Sequence, residues 1–172
     1  MKEIRWHARA GQGAKTAAQL LAVALLREGK SVQAFPEYGP ERRGSPMRAY
    51  TRYDERPIRR RDSIEEPDAV VVLDPSLAQA PDVCAGLKPD GLLLVNSDEH
   101  IEGAVCVPAD RLAPGAVNLV MLGAVAGCLG EPPLESLVAA ASGVLGKKAD
   151  PARLADAIEA GRRAAEEATC LV

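Results

Sequence analysis

Apolar positions along this chain switch repeatedly between strand-like and helix-like spacing, and the switches mark its elements. Residues 2–7 predict a first strand, and Ala10, Gly11, Gln12 and Gly13 a turn. A helix follows over residues 14–28, with Ala17, Leu20, Leu21, Ala24 and Leu25 on a wide apolar face and Gly29 as its stop. Residues 31–35 read as a second strand, so the opening is a strand–helix–strand unit with a right-handed crossover. Residues 36–46 hold three prolines and two glycines, which excludes helix and strand and predicts a stiff, charged loop. From Met47 to Tyr53 the pattern alternates again: Met47, Ala49, Thr51 and Tyr53 on one face, Arg48, Tyr50 and Arg52 on the other. A turn at residues 54–57 and a short return strand from Ile58 to Arg61 complete a predicted antiparallel hairpin.

The second half is more apolar. Residues 69–73 form a near-continuous run that suits a strand buried on both faces, and it ends at Asp74, Pro75 and Ser76. Residues 92–95, followed by Asn96 and Ser97, repeat the pattern, and residues 104–107 give a weaker copy, with short helices expected between them. Helices are predicted over 116–129, stopped by Gly130, and over 134–145. Asp150 and Pro151 supply an N-cap and first position for a last helix, with Leu154, Ile158 and Ala165 inward and Arg153, Asp156, Glu159, Arg162, Arg163 and Glu166 outward. The expected fold is α/β: a three-layer, Rossmann-like arrangement with a mostly parallel sheet, helices on both faces and one antiparallel hairpin. Neither a repeat nor a linker interrupts it, so residues 1–172 read as a single domain. Ligands of such sheets gather at the carboxyl ends of the strands, here the glycine turn, Asp74–Pro75 and Asn96–Ser97.

Composition narrows the classes. Apolar residues make up 47% and charged residues 26%, which excludes wholesale disorder. A net charge of −3 argues against a general nucleic-acid binder. The absence of any long apolar run, and of a signal-peptide core at the start, argues against a membrane or secreted protein. Cys84, Cys106, Cys128 and Cys170 are widely spaced with no Cys-x-x-Cys pair, so metal or cluster ligation is not expected. Each reads as a small buried apolar residue in a reduced, cytoplasmic protein.

Two features carry candidate chemistry. Gly11, Gln12 and Gly13 lead into a helix whose free N–H groups form an anion seat, although Thr16 breaks the G-x-G-x-x-G dinucleotide fingerprint. The turn is therefore either an anion site or a structural strand–helix connection. Between Glu41 and Arg61, eight arginines (42, 43, 48, 52, 56, 59, 60, 61) outnumber Glu41, Asp54 and Glu55, an excess of five positive charges in an acidic chain. A solvated face is the bland explanation. The preference for arginine favours recognition of a partner subunit or a phosphorylated ligand. His7 and His100 lie far apart without a nucleophile motif, and Asp74 reads either as a cap for the turn that follows or as a ligand or base. No catalytic or metal-ligating residue is assigned.

The residues G-Q-G at 11–13, Q-A-F-P-E-Y-G-P-E-R-R-G-S-P at 33–46, R-A-Y-T-R at 48–52 and E-P-D-A-V-V-V-L-D-P-S-L at 66–77 resemble the gamma subunit of 2-oxoacid:ferredoxin oxidoreductases over nearly the whole chain. The E-R-R-G-S-P form is most similar to the pyruvate and branched-chain types. Ala10 stands where that family usually has a further glycine. The resemblance implies a multi-subunit enzyme that decarboxylates a 2-oxoacid with thiamine diphosphate. Its iron–sulfur clusters pass electrons to ferredoxin, and the acyl group goes to coenzyme A. Thiamine diphosphate and the clusters are implied in partner chains, one thiamine-binding and one ferredoxin-like. This chain is implied as a structural, coenzyme A-facing subunit, inactive and iron-free alone and at least dimeric, with Gly11, Gln12, Gly13, Arg42 and Arg43 on the coenzyme A side. Coenzyme A carries a pyrophosphate and a ribose phosphate, which suits the basic segment. A free-standing Rossmann-like nucleotide-binding protein and a purely structural assembly subunit are the rival readings.

Overall fold

The computed structural model describes residues 1–37, 44–146 and 150–170. Six strands form one sheet: β1 (Lys2–Arg9), β2 (Ser31–Glu37), β3 (Pro46–Asp54), β4 (Ala69–Val72), β5 (Leu92–Asn96) and β6 (Val105–Val107), in the order β2-β3-β1-β4-β5-β6. β1, β4, β5 and β6 pair in parallel, and β3 pairs antiparallel with both β1 and β2. The helices are α1 (Ala14–Arg27), the single-turn α2 (Ala109–Leu112), α3 (Val117–Leu129), α4 (Leu134–Leu145) and α5 (Pro151–Thr169). The mixed α/β class and the mostly parallel sheet follow the sequence pattern.

Three expectations about the strands and layers need correction. The return strand at 58–61 does not form. Both edges of β3 are already taken, by β1 and β2, so the hairpin partner of β3 is β2. β3 therefore also separates β1 from β2 in the opening strand–helix–strand unit. β2 runs through Pro36 to Glu37, because an edge strand tolerates a missing ladder donor.

The third correction concerns the layers. β1 alternates Ile4, Trp6 and Ala8 into one large core with α1, α3, α4 and α5, so the long helices all contribute to the same core. The other side of β4 and β5, through Val70, Val72 and Val95, is covered by Leu77, Val83 and Ala104. Between β4 and β5 there is a single 3-10 turn, Pro75–Leu77, and no helix joins β5 to β6. Pro81, Gly86, Pro89 and Gly91 break the first connection, and the second is too short.

On that second face the β2-β3-β1 half carries cross-strand rows of mostly polar residues: Glu3–Arg52–Gln33, Arg5–Tyr50–Phe35 and His7–Arg48–Glu37. Arg52 is fully buried there, bonded to Glu3 Oε1 at 2.6 Å, Gln33 Oε1 at 3.2 Å and the Asp62 carbonyl at 3.2 Å. On the helical side, α3 and α5 pack backbone to backbone. A Cβ on Gly161 would fall 1.8 Å from the Val120 carbonyl oxygen, and one on Gly123 1.9 Å from that of Ile158. The cysteines divide: Cys106 and Cys128 are half-buried, whereas Cys84 and Cys170 are exposed, contrary to expectation. Cys84 lies on the irregular β4–β5 connection and Cys170 at the C-cap of α5, where neither is drawn into the sheet.

Candidate functional site

The carboxyl end of β1 places the glycine turn beside two other chain segments. Gly11 and Gly13 have φ of +103° and +85°, backbone that glycine adopts without strain. Gly13 is the N-cap of α1 and has no side chain to occupy the N–H groups of the first turn. A Cβ there would also fall 2.7 Å from Asn118 Nδ2. Gln12 locks the turn: its Oε1 accepts from the Arg9 N–H at 2.7 Å, and its Nε2 donates to Asp74 Oδ2 at 2.7 Å.

Asp74 performs the capping role the sequence offered, accepting the Ser76 N–H at 3.0 Å. Burial alone would raise its pKa. The hydrogen bonds from Ser76 and Gln12, with the Arg9 charge, outweigh that and hold the carboxyl below its ordinary value. Asp74 is thus an ionised brace between the glycine turn and the β4 turn.

Arg9, which the sequence reading passed over, ties the three segments. Its Nη2 donates to Ser76 Oγ at 2.8 Å, its Nη1 to the Gly44 carbonyl at 3.1 Å, and its Nε lies 3.5 Å from Asp74 Oδ2. The Ala10 N–H also donates to the Ser45 carbonyl at 2.9 Å. The glycine turn and the trailing end of the proline- and arginine-rich loop therefore share one edge of the sheet. Arg42 and Arg43 lie outside the described residues. Asn96 does not join this edge as a ligand-facing group. It is buried, donates to the Leu73 carbonyl and Asp110, and accepts from Ala109 N–H at the start of α2.

The arginines after the loop separate by role. Arg52 is spent inside the fold, Arg48 is bound to Asp82 at 2.6 Å, and Arg60 is paired with Asp62. Arg59 and Arg61 are exposed and make no ion pair among the described residues. His7 is almost fully buried beside Arg5. Burial, reinforced by Arg5 and Arg48, holds its pKa down at about 4, so it is neutral near pH 7.

Known proteins place this architecture. The family model described as pyruvate ferredoxin/flavodoxin oxidoreductase matches residues 3–169. The pyruvate/ketoisovalerate oxidoreductases common subunit gamma of Pyrococcus abyssi is 46% identical over 168 residues, covering 86% of this chain and 91% of its own. The pyruvate synthase subunit PorC of Thermotoga maritima is 45% identical, covering 98% of this chain and 95% of its own. A crystal structure of a Thermotoga maritima pyruvate oxidoreductase subunit PORC superposes with a TM-score of 0.82 at 38% identity, covering 94% of this chain and 95% of that one. A match that runs nearly end to end, on a sheet whose glycine turn meets Gly44 and Ser45, leads to one conclusion: the chain belongs to the pyruvate ferredoxin/flavodoxin oxidoreductase family.

Proposed function

We infer that this chain works as the gamma subunit of a multi-subunit pyruvate (2-oxoacid):ferredoxin oxidoreductase, and that its glycine-turn edge faces coenzyme A. One observation carries the second part. Arg9 binds both the Gly44 carbonyl and Ser76, so the two segments singled out by their chemistry are tied into one surface. There the uncapped N–H groups of α1 supply donors for phosphate oxygens. Arg42 and Arg43 are assigned the bidentate contacts that arginine makes to phosphate. The chain's contribution is to hold and orient the nucleotide end of the acyl acceptor. Thiamine diphosphate, the iron–sulfur clusters and the ferredoxin contact are assigned to the thiamine-binding and ferredoxin-like partner chains.

On this reading residues 1–172 act as one gamma-type domain of a cytoplasmic assembly, dimeric or larger when isolated. Among the described residues, no helix is long and apolar enough to cross a membrane. The free-standing dinucleotide-binding reading is disfavoured by Thr16, which stands where the fingerprint's third glycine belongs.

The test is the Arg42→Ala/Arg43→Ala double variant in the reconstituted complex. The expected result is a melting curve changed by no more than about 1 kcal/mol in stability. Coenzyme A dependence should weaken by about 10- to 150-fold, the loss of one charge-assisted contact. Loss of subunit stoichiometry with coenzyme A dependence intact would assign the loop to assembly instead. No change in either would reduce the segment to a solvated charged surface.

A further inference from the structure

We propose that the groove on the face of the sheet opposite α1, floored by His7 and rimmed by Arg48, binds a small free carboxylic acid with a short aliphatic tail. The groove has a volume of about 360 Å³ and lies at the carboxyl end of β1, on the opposite face of the sheet from α1. That size falls within the range of small-ligand sites.

The polar floor is fixed. Arg5 Nε donates to His7 Nε2 at 3.0 Å, so the ring proton resides on Nδ1. Among the described residues no acceptor meets Nδ1, and no buried side-chain nitrogen or oxygen is left unpaired. The Nδ1–H therefore opens to the groove that His7 lines. His7 is only 4% exposed, so its ring is held by its surroundings rather than free to turn away. Arg48 faces it directly across the β1–β3 ladder. The guanidinium is anchored by Asp82 at 2.6 Å and lies 4.0 Å from Glu37, leaving further N–H donors for a ligand.

The sign of the charge selects the ligand. Two guanidinium groups adjoin the floor, Arg5 bonded to His7 and Arg48 opposite it across the ladder, whereas Glu37 and Asp82 stand at the rim. Glu37 is turned to other work, accepting from the Tyr50 hydroxyl. A carboxylate meets this floor with one oxygen on His7 Nδ1–H and the other on Arg48. Met47, Leu77 and Val83 line the remaining wall and accept an aliphatic tail. A bulky polyanion is disfavoured, because Glu37 and Asp82 stand at the rim.

The experiment titrates the full chain with sodium butyrate and, separately, with butyramide at constant ionic strength. Amide proton–nitrogen correlation spectra provide the readout. Saturable shifts are expected at Met47, Arg48, Leu77 and Val83, with butyramide at least about tenfold weaker because it lacks the charge. Arg48→Gln should weaken butyrate by at least about tenfold, and the exposed control Arg59→Gln should leave it unchanged. Non-saturating shifts, equal responses to acid and amide, or an unaltered response in folded Arg48→Gln would each overturn the proposal. If Arg48→Gln fails to fold, the acid–amide comparison on the unaltered chain decides.

Discussion

Arg52 belongs to the basic run that the sequence offered as a recognition surface, yet its side chain is fully buried. Replacing it with Met keeps most of its volume and removes every donor. Glu3, whose side chain is 10% exposed, would lose the partner now 2.6 Å away, and Gln33 Oε1 and the Asp62 carbonyl would lose theirs. Breaking one side of a buried pair costs about 3–5 kcal/mol, because the surviving charge stays desolvated. Against a typical stability of about 5–15 kcal/mol this is a large fraction. For a chain of this length it corresponds to a fall of about 6–20 °C in melting temperature. Thermal and urea unfolding of Arg52→Met measure it, with exposed Arg59→Ala as the control, expected within about 0.5 kcal/mol of the parent. The double variant Glu3→Leu/Arg52→Met should recover much of the loss, since an apolar pair leaves no orphaned charge. A single-variant loss below about 1 kcal/mol, the range of exposed pairs, would refute the reasoning.

Two glycine-to-alanine changes should have opposite signs. Gly161→Ala drives a Cβ into the Val120 carbonyl and should destabilise by about 1–3 kcal/mol. Gly143→Ala in α4 meets open space and should stabilise by about 0.5–1 kcal/mol, both read from urea midpoints. Acid should weaken the fold through His7, whose pKa is lowered from 6.5 to about 4. Between those values the unfolded imidazole binds a proton that the folded one refuses. Its contribution is therefore whole above pH 6.5 and disappears as the pH falls to about 4, with a slope of up to about 1.4 kcal/mol per pH unit. Stability measured from pH 7 to 4.5 should lose that slope in His7→Gln.

Local patterns with one physical solution were legible in the sequence. The apolar run ending at Asp74 could hardly be anything but a central strand, and Asp74 followed by Pro75 and Ser76 does form a capped turn. Gly11, Gln12 and Gly13 were readable as a strand–helix turn because glycine permits the positive φ found at both ends. Partnership between distant segments was not legible. The alternation of Arg48, Tyr50 and Arg52 shows that they share a face. It does not show that no long helix will cover that face, nor that Glu3, 49 residues earlier, will neutralise Arg52. The strand expected at 58–61 fails for the same reason: its residues suit an extended chain, but β1 and β2 already occupy the places beside β3. Arg9 gave no signal at all, since a single arginine at a strand end is unremarkable until Ser76 and Gly44 arrive beside it.

Arg5 holds its surroundings in an unusual currency. Its guanidinium donates to the Val83 carbonyl at 2.9 Å and the Ala85 carbonyl at 2.5 Å, and reaches those of Ile64 and Glu65 at 3.4 Å. These four acceptors are main chain, and every amino acid carries that same oxygen. The position of these two irregular stretches is thus written partly in a strand residue elsewhere, and the exposed side chains of Glu65 and Ala85 are released from specifying it. Substitutions at Glu65 or Ala85 can accumulate without moving the backbone, whereas a single change at Arg5 unfastens both stretches together. The surface over these two stretches can accordingly diversify its chemistry while its path is held by one buried cation.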